Sequence, residues 1–318
     1  MWKSIFDTIF AVFKTPKHFI TTCYCRSGVS RGSRRHQKEN KKAQLYKHAN
    51  PSLYYIQKQP SNLCTNNTFL FIAVISQPSS QKHRQIYRET VLSPIRNECL
   101  IDSKYVFVIG RVDNDAIQDL LDKENEEHGD ILQGNFTDSY ENLTIKSIFL
   151  VRWTALKCPQ AKYLLKIDED VYTILDNVRK YFKRESFNEY SIAGSIVKKA
   201  KPIRDPDSKW YAGTYSGAVY PTSASGMAYA FSQSLLEPLF KAAINTPFFR
   251  LEDVFLSGLA ASATNLQIEY YQIPGFVRVE QNISNVNLKK FTSIHGLHGK
   301  QLKALHKRIK QEKHENCV

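Results

Sequence analysis

Neither G-x-G-x-x-G nor G-x-x-x-x-G-K-[ST] occurs in these 318 residues, so the chain lacks a glycine-rich phosphate cradle. A nucleotide bound here needs a metal ion to neutralise its phosphates. The six cysteines (Cys23, Cys25, Cys64, Cys99, Cys158, Cys317) form no C-x-x-C pair and have no zinc spacing, which argues against a structural zinc module. No internal repeat is present, which excludes a solenoid. Carboxylates are scarce at the two ends. Residues 1–60 carry 12 Lys and Arg against 2 acids, and residues 299–318 carry 6 against 2, whereas 61–298 balance at 26 each. The net charge of +14 therefore lies in the ends and lines no groove, which argues against nucleic-acid binding. The apolar start, MWKSIFDTIFAVF, is too short and too charged for a spanning helix of about 20 residues, and no small-residue cleavage site follows it.

What is present reads as a globular α/β chain, 42% hydrophobic. Residues 1–22 place Trp2, Ile5, Phe6, Ile9, Phe10 and Phe13 on one helical face, the pattern of an interfacial helix or an atypical anchor. Residues 23–65 form a basic, flexible stem. From about residue 66 to 300, apolar runs alternate with helical patterns. Strands are expected at Phe69–Ser76, Tyr105–Ile109, Ile131–Leu132, Tyr163–Ile167 and Ser191–Val197. Helices are expected through Arg84–Arg88, over 113–127, 140–158, 173–183 and 232–243, with a glycine turn at Ser225-Gly226. That order predicts a mostly parallel central sheet with helices on both faces. A basic helix or tail closes the chain over 301–318. Four N-glycosylation tripeptides (at Asn66, Asn135, Asn142 and Asn282) are compatible with a lumenal protein, where some cysteines could pair.

Four constellations can carry chemistry. Asp168-Glu169-Asp170 follows a buried strand, at the end where α/β sheets bind ligands, and suits a hard divalent cation beside phosphates. Against this stands a simple solvated acidic turn. Glu252-Asp253 sits among apolar residues, which disfavours the charged carboxylate and makes a better proton acceptor. The same pair could instead cap a helix N-terminus. His295, in His295-Gly296-Leu297-His298, suits Mn²⁺ beside a carboxylate, or is a surface histidine. Arg84 and Arg88, one turn apart after the first strand, offer planar forks to a diphosphate, or form a solvated face.

Taken together and in this order, these residues resemble the β-1,3-glycosyltransferases, the family of β-1,3-galactosyltransferases and β-1,3-N-acetylglucosaminyltransferases. The densest block is EHGDILQGNFTDSYENLTIKSIFLVRWTALKCPQAKYLLKIDEDVY, residues 127–172, which is similar to the family's G-D-I-L, D-x-Y-x-N-L-T-x-K, C-P and K-x-D-D-D-V. Arg84 to Thr90 is similar to R-x-x-x-R-x-T-W, with Val91 in place of Trp, and Glu252-Asp253-Val254 to E-D-V. Glu169 replaces a middle Asp but leaves D-x-D intact. Ala224-Ser225-Gly226 replaces Y-C-S-G, so the disulfide scheme must differ.

The resemblance implies a GT-A fold and an inverting transfer of a hexose, galactose first, from a UDP-sugar such as UDP-galactose. It implies a glycan acceptor on glycoprotein or glycolipid, a β-1,3 linkage, and Mn²⁺ (or Mg²⁺). Asp170 and His295 would hold the metal, and Asp168 would sit near the donor ribose with Glu169, Arg84 and Arg88 about it. Asp253 would be the general base, and Trp210, Tyr211 and Glu252 would lie on the acceptor side. It further implies a Golgi membrane protein with a lumenal catalytic domain. The rival readings are N-acetylglucosamine transfer and an inactive glycan-binding relative. Retention of Asp168, Asp170, Asp253 and His295 together argues against the latter.

Overall fold

A computed structural model describes residues 55–61, 63–278 and 291–313. The anchor expected over 1–22, most of the stem, Cys23, Cys25, Cys317 and Asn282 lie outside the described residues. Among the described residues no helix is long and apolar enough to cross a membrane.

The chain runs β1 (Ile56–Lys58), β2 (Leu70–Ile75), α1 (Gln81–Glu89), α2 (Ser93–Arg96), β3 (Ser103–Arg111), α3 (Asp115–His128) and β4 (Ile131–Thr137). A 3-10 turn (Tyr140–Asn142) then leads into α4 (Leu143–Lys157), β5 (Tyr163–Asp168), β6 (Val171–Thr173), α5 (Leu175–Arg184) and β7 (Ser191–Val197). After a long loop come β8 (Ser223–Ser232), α6 (Gln233–Asn245) and α7 (Glu252–Val254), the last continuing through a π-helical stretch, Phe255–Ala260. The remainder is β9 (Glu269–Gln272), β10 (Phe276–Arg278), β11 (Ser293–His295) and α8 (Lys300–Lys313).

Eight strands form one sheet in the order β1-β4-β3-β2-β5-β8-β7-β9. Strands β4, β3, β2 and β5 are parallel, while β8 runs antiparallel between β5 and β7. All six side chains of β2 are buried, as expected of a central strand covered on both faces. Phe71, Ala73 and Ile75 join one core with Phe149, Trp153, Leu236 and Leu239, under α4 and α6. Leu70, Ile72 and Val74 join the other with Tyr87, Val178, Leu305 and Ile309, under α1, α5 and α8. The alternation follows from the two-residue strand period. This is the expected α/β arrangement, a mostly parallel central sheet with helices on both faces.

Local chemistry explains the helix ends. Asn114 caps α3 by accepting from the Ile117 amide at 3.0 Å, and Gly129 closes it in the left-handed region at φ 63°. Helix α4 is buried on nearly every face, so it reads as apolar throughout rather than amphipathic.

Two features differ from expectation. The sheet takes in Ile56–Lys58, which pair with β4, and a disulfide joins Cys64 to Cys158, so the folded domain starts before residue 66. The expected turn at Ser225-Gly226 is strand, inside β8. Its run of small residues, Ser223-Ala224-Ser225-Gly226, hides the strand because none is a β-former. The basic segment near the C-terminus is the expected helix, and Leu302, Leu305 and Ile309 of α8 are buried in the core.

Candidate active site

Strand β5 carries its carboxylates to the edge of two adjoining cavities. The first, of about 660 Å³, is lined by the 75–80 loop, His83, Asp138, Tyr140, Lys146 and Asp168 to Asp170. The second, of about 510 Å³, is lined by Trp210, Tyr220, Arg250, Glu252, Asp253 and His295 among others. Tyr140, Leu143, Asp168 and Asp170 belong to both walls. One side of the carboxylate turn therefore faces a loop-lined cleft, and the other faces the α7 acid pair.

Asp170 and His295, 125 positions apart in sequence, are brought together by strand pairing. Strand β11 pairs antiparallel with β6, and the amides of Gly296 and Leu297 donate to the Asp170 carbonyl at 3.0 and 2.9 Å. This places His295 Nε2 3.3 Å from Asp170 Oδ2, while Oδ1 is buried without a hydrogen-bond partner. Burial alone would raise the Asp170 carboxyl, but the hydrogen bond and charge of His295, with His298 beyond, hold it below its ordinary value. An orphaned carboxylate oxygen beside an imidazole is a donor set that fits Mn²⁺ with most positions left to phosphate and water. No group of three or more such side chains gathers among the described residues.

Asp168 faces inward on β5 with Lys166, two residues earlier on the same face. The Lys166 ammonium lies 2.7 Å from Asp168 Oδ1, donates to the Gly226 carbonyl at 2.6 Å, and stands 3.5 Å from Glu252 Oε2. Burial would lower its pKa, but Asp168 and Glu252 raise it above its ordinary value, so it stays charged. Burial pushes the Asp168 carboxyl up to about 6 against the pull of Lys166.

Asp253 lies in the first turn of α7, the placement that the helix-cap alternative foresaw. Its Oδ2 accepts from the Gly226 amide at 2.9 Å and its Oδ1 from the Val254 amide at 2.8 Å. Burial raises its pKa, the neighbouring Glu252 raises it further, and the two amides and Lys166 oppose. A Cβ on Gly226 would sit 3.3 Å from Asp253 Oδ2, so a glycine here lets the strand approach the carboxylate closely. The Gly226 backbone is thus held on both sides of its Cα, its carbonyl by Lys166 and its amide by Asp253. A hydrogen-bonded chain runs from Asp168 to Asp253 through two backbone atoms.

Several expected site residues have other positions. Arg84 and Arg88 lie behind the first cavity, buried and committed to acids. Arg84 bonds Glu124 at 2.6 and 2.9 Å, and Arg88 bonds Asp130 at 2.7 and 2.8 Å and Glu124 at 2.8 Å. They are therefore neither diphosphate forks nor a solvated face. Arg84 reaches the cavity through its support of the loop, donating to the Gln77 carbonyl at 2.5 Å, Ser76 Oγ at 3.1 Å and the Pro78 carbonyl at 3.3 Å. Glu169 also holds this loop, accepting from Ser76 Oγ at 2.6 Å and Ser80 Oγ at 3.0 Å. Glu252 lines the second cavity, but its carboxylate accepts from the Tyr229 hydroxyl and faces Lys166. Trp210 is 44% exposed on the same cavity wall, whereas Tyr211 is not among the lining residues.

Sequence reasoning assigned no role to Asp138, Tyr140, Lys146 or Lys166, although all four are fixed positions of the D-x-Y-x-N-L-T-x-K and K-x-D-D-D-V blocks. Lys146 is buried in the first cavity's wall, donating to the Ser76 carbonyl at 2.8 Å and pairing with Asp138 at 2.8 Å. The signal for Lys166 was available. It is a lone cation inside an apolar strand, at the i+2 spacing that puts it beside Asp168.

Against known proteins, a family model described as Galactosyltransferase matches residues 82–273. The chain is 30% identical over 275 residues to beta-1,3-galactosyltransferase 1 of Homo sapiens, covering 84% of this chain and 81% of the relative. It is 29% identical over 218 residues to beta-1,3-galactosyltransferase 5 of Homo sapiens, covering 67% of this chain and 69% of that one. Among solved structures, a glycosyltransferase involved in the glycosylation of the major capsid of PBCV-1 aligns with a TM-score of 0.40 at 12% identity, over 76% of this chain and 99% of that chain.

Proposed function

Because the chain belongs to the galactosyltransferase family and is a glycosyltransferase, we propose that it transfers galactose from UDP-galactose to a glycan acceptor, forming a β-1,3 linkage with inversion. The observation that carries this reading is the meeting of two cavities at Asp168 and Asp170, with Asp253 lining the second and not the first. The first cavity takes the nucleotide diphosphate and the second takes the acceptor. Asp170 and His295 would hold Mn²⁺, which when bound supplies Lewis-acid charge to the departing diphosphate.

The chain's own residues do the rest. Asp253, with its carboxyl raised by burial and Glu252, accepts the proton of the acceptor hydroxyl. The Gly226 and Val254 amides fix the direction in which its lone pairs point. Placing the base across from the diphosphate cleft favours attack on the anomeric carbon from the face opposite the leaving group, hence inversion. Lys166 keeps Asp168 and Glu252 from repelling one another inside a water-poor wall. Trp210, half exposed, offers a ring face on which a sugar can stack. We place the enzyme in the Golgi lumen, and the Cys64–Cys158 disulfide supports an oxidising compartment.

The test is nucleotide release by the full chain with Mn²⁺, across a panel of UDP-sugars and β-linked acceptors. UDP-galactose should turn over with a neutral or charged β-linked acceptor. Turnover should vanish in Asp170→Ala and Asp253→Ala, and only Asp253→Ala should retain nucleotide affinity. Preference for UDP-N-acetylglucosamine would replace galactose in this reading. Absence of nucleotide binding would overturn it.

A further inference from the structure

The second cavity carries three cations that the transfer reaction does not use. Lys201 and Lys209 come from the 198–222 loop, and Arg250 precedes the first turn of α7. The other cations in the core or close to it have acids beside them: Arg84 and Arg88 with Glu124, Lys146 with Asp138, Lys166 with Asp168, Arg179 with Asp102. Lys201, Lys209 and Arg250 are different, since none makes an ion pair with a carboxylate among the described residues. Arg250 Nη2 donates to the Lys209 carbonyl at 2.5 Å, and its Nε is buried with no hydrogen-bond partner. The Lys209 ammonium sits 4.4 Å from the centre of the Trp210 ring. Asp205 and Asp207 lie on the same loop but do not line the cavity.

Unpaired cations beside a half-exposed tryptophan make a wall that suits one chemistry. A buried guanidinium nitrogen without a partner is costly and is satisfied by an anion. The cavity's own carboxylates offer no substitute. Asp168 is paired with Lys166, Glu252 is held by Tyr229 and Lys166, Asp253 by two amides, and Asp170 faces His295. A volume of about 510 Å³ accommodates a sugar of one or two rings together with a charged substituent.

We infer that the acceptor is an acidic glycan, whose sulfate ester or carboxylate is received by Arg250 with Lys201 and Lys209 while a ring rests against Trp210. This deepens the preceding reading and rests on it, because it takes the second cavity as the acceptor's. Sulfate ester and carboxylate each present a pair of anionic oxygens that a guanidinium fork can bridge, so the experiment carries an arm for each.

The test titrates the full chain, saturated with UDP and Mn²⁺, with three glycans. They are a neutral trisaccharide ending in β-linked N-acetylglucosamine, its 6-O-sulfate ester, and an analogue carrying a uronic acid. One anionic probe should bind about ten-fold more tightly than the neutral one at low salt, the scale of a charge-assisted hydrogen bond. That advantage should shrink at half-molar salt through screening. Lys201→Gln/Lys209→Gln, two exposed positions, should reduce it several-fold, and Arg250→Gln should abolish it, with Arg250→Lys restoring part. Equal or weaker binding of both anionic probes, or an advantage that survives all the variants, overturns the inference. Binding is read without turnover, so loss of the anionic preference in a chain that still transfers galactose to neutral acceptors condemns this inference alone. A chain that prefers the anionic probe yet releases no nucleotide with any donor condemns the transfer reading instead.

Discussion

Asp253 is the residue on which the chemistry turns, and its environment fixes a pH dependence. Its carboxyl is raised by burial and by Glu252, so the deprotonated base is lost at a higher pH than the ~4 of an ordinary carboxylate. The acid limb of kcat/KM should therefore lie above that value with unit slope, while nucleotide affinity stays flat across it. A limb that tracks nucleotide affinity would move the titration to the donor side. The linkage to stability has the same sign. The folded state holds this proton more tightly than the unfolded chain does, so the group's contribution favours folding at low pH and is lost as pH rises through its folded pKa. Asp253→Asn should cost about a hundred- to ten-thousand-fold in turnover, and because its NH2 group cannot accept, one of the Gly226 and Val254 amides loses its partner, at about 1–3 kcal/mol in stability. Lys166→Met removes the one cation between Asp168 and Glu252 and should cost about 3–5 kcal/mol in urea unfolding. A loss under 1 kcal/mol would show that the two acids are solvated in place.

At the scale of elements, α1 and α3 are joined by buried charge rather than by apolar packing alone. Arg84 and Arg88 reach Glu124 and, beyond the end of α3, Asp130. Arg84→Met leaves Glu124 short of a partner and should destabilise by about 3–5 kcal/mol, whereas Arg84→Met/Glu124→Met should recover much of that. If the double variant is no better than the single, the pair is a packing contact and not an electrostatic one. Nothing near Arg84 in sequence announces an acid 40 positions away, which is why a phosphate-facing fork was the natural expectation. The parallel strands were legible because a strand covered on both faces must be continuously apolar, as Leu70–Ile75 is. Strand β8 was not, because it starts with small residues of low strand propensity, of which Gly226 is set by close approach to Asp253. The D-x-D turn and the Glu252-Asp253 pair were readable as isolated acids. Their connection through Lys166 and Gly226 exists only once β5 and β8 are side by side.

The whole molecule begins earlier than its apolar pattern suggests, and that sets where it can be cut. Strand β1 covers the edge of β4, and Gln59 accepts from the Trp153 indole at 3.0 Å. Cys64 reaches Cys158 at the end of α4 across 94 positions. Each feature ties the segment before Phe69 to the sheet, and none of them is an apolar run. A disulfide closing a loop of that length restricts the unfolded chain by about 4–5 kcal/mol in the loop-entropy account. An uncovered β4 also exposes a row of unpaired amides and carbonyls, a template for association. A fragment beginning at Tyr55 should therefore fold, remain monomeric to the extent that the full chain does, and keep its nucleotide affinity. One beginning at Phe69, where the first long apolar strand starts, should lose about 4 kcal/mol or more and aggregate on warming. Reducing the disulfide in the Tyr55 fragment separates the two contributions, since it removes the link and leaves β1 in place. If both fragments share one denaturation midpoint, the segment before Phe69 is an ornament on a domain that the central sheet already completes, and the catalytic unit is as short as its hydrophobic pattern implied.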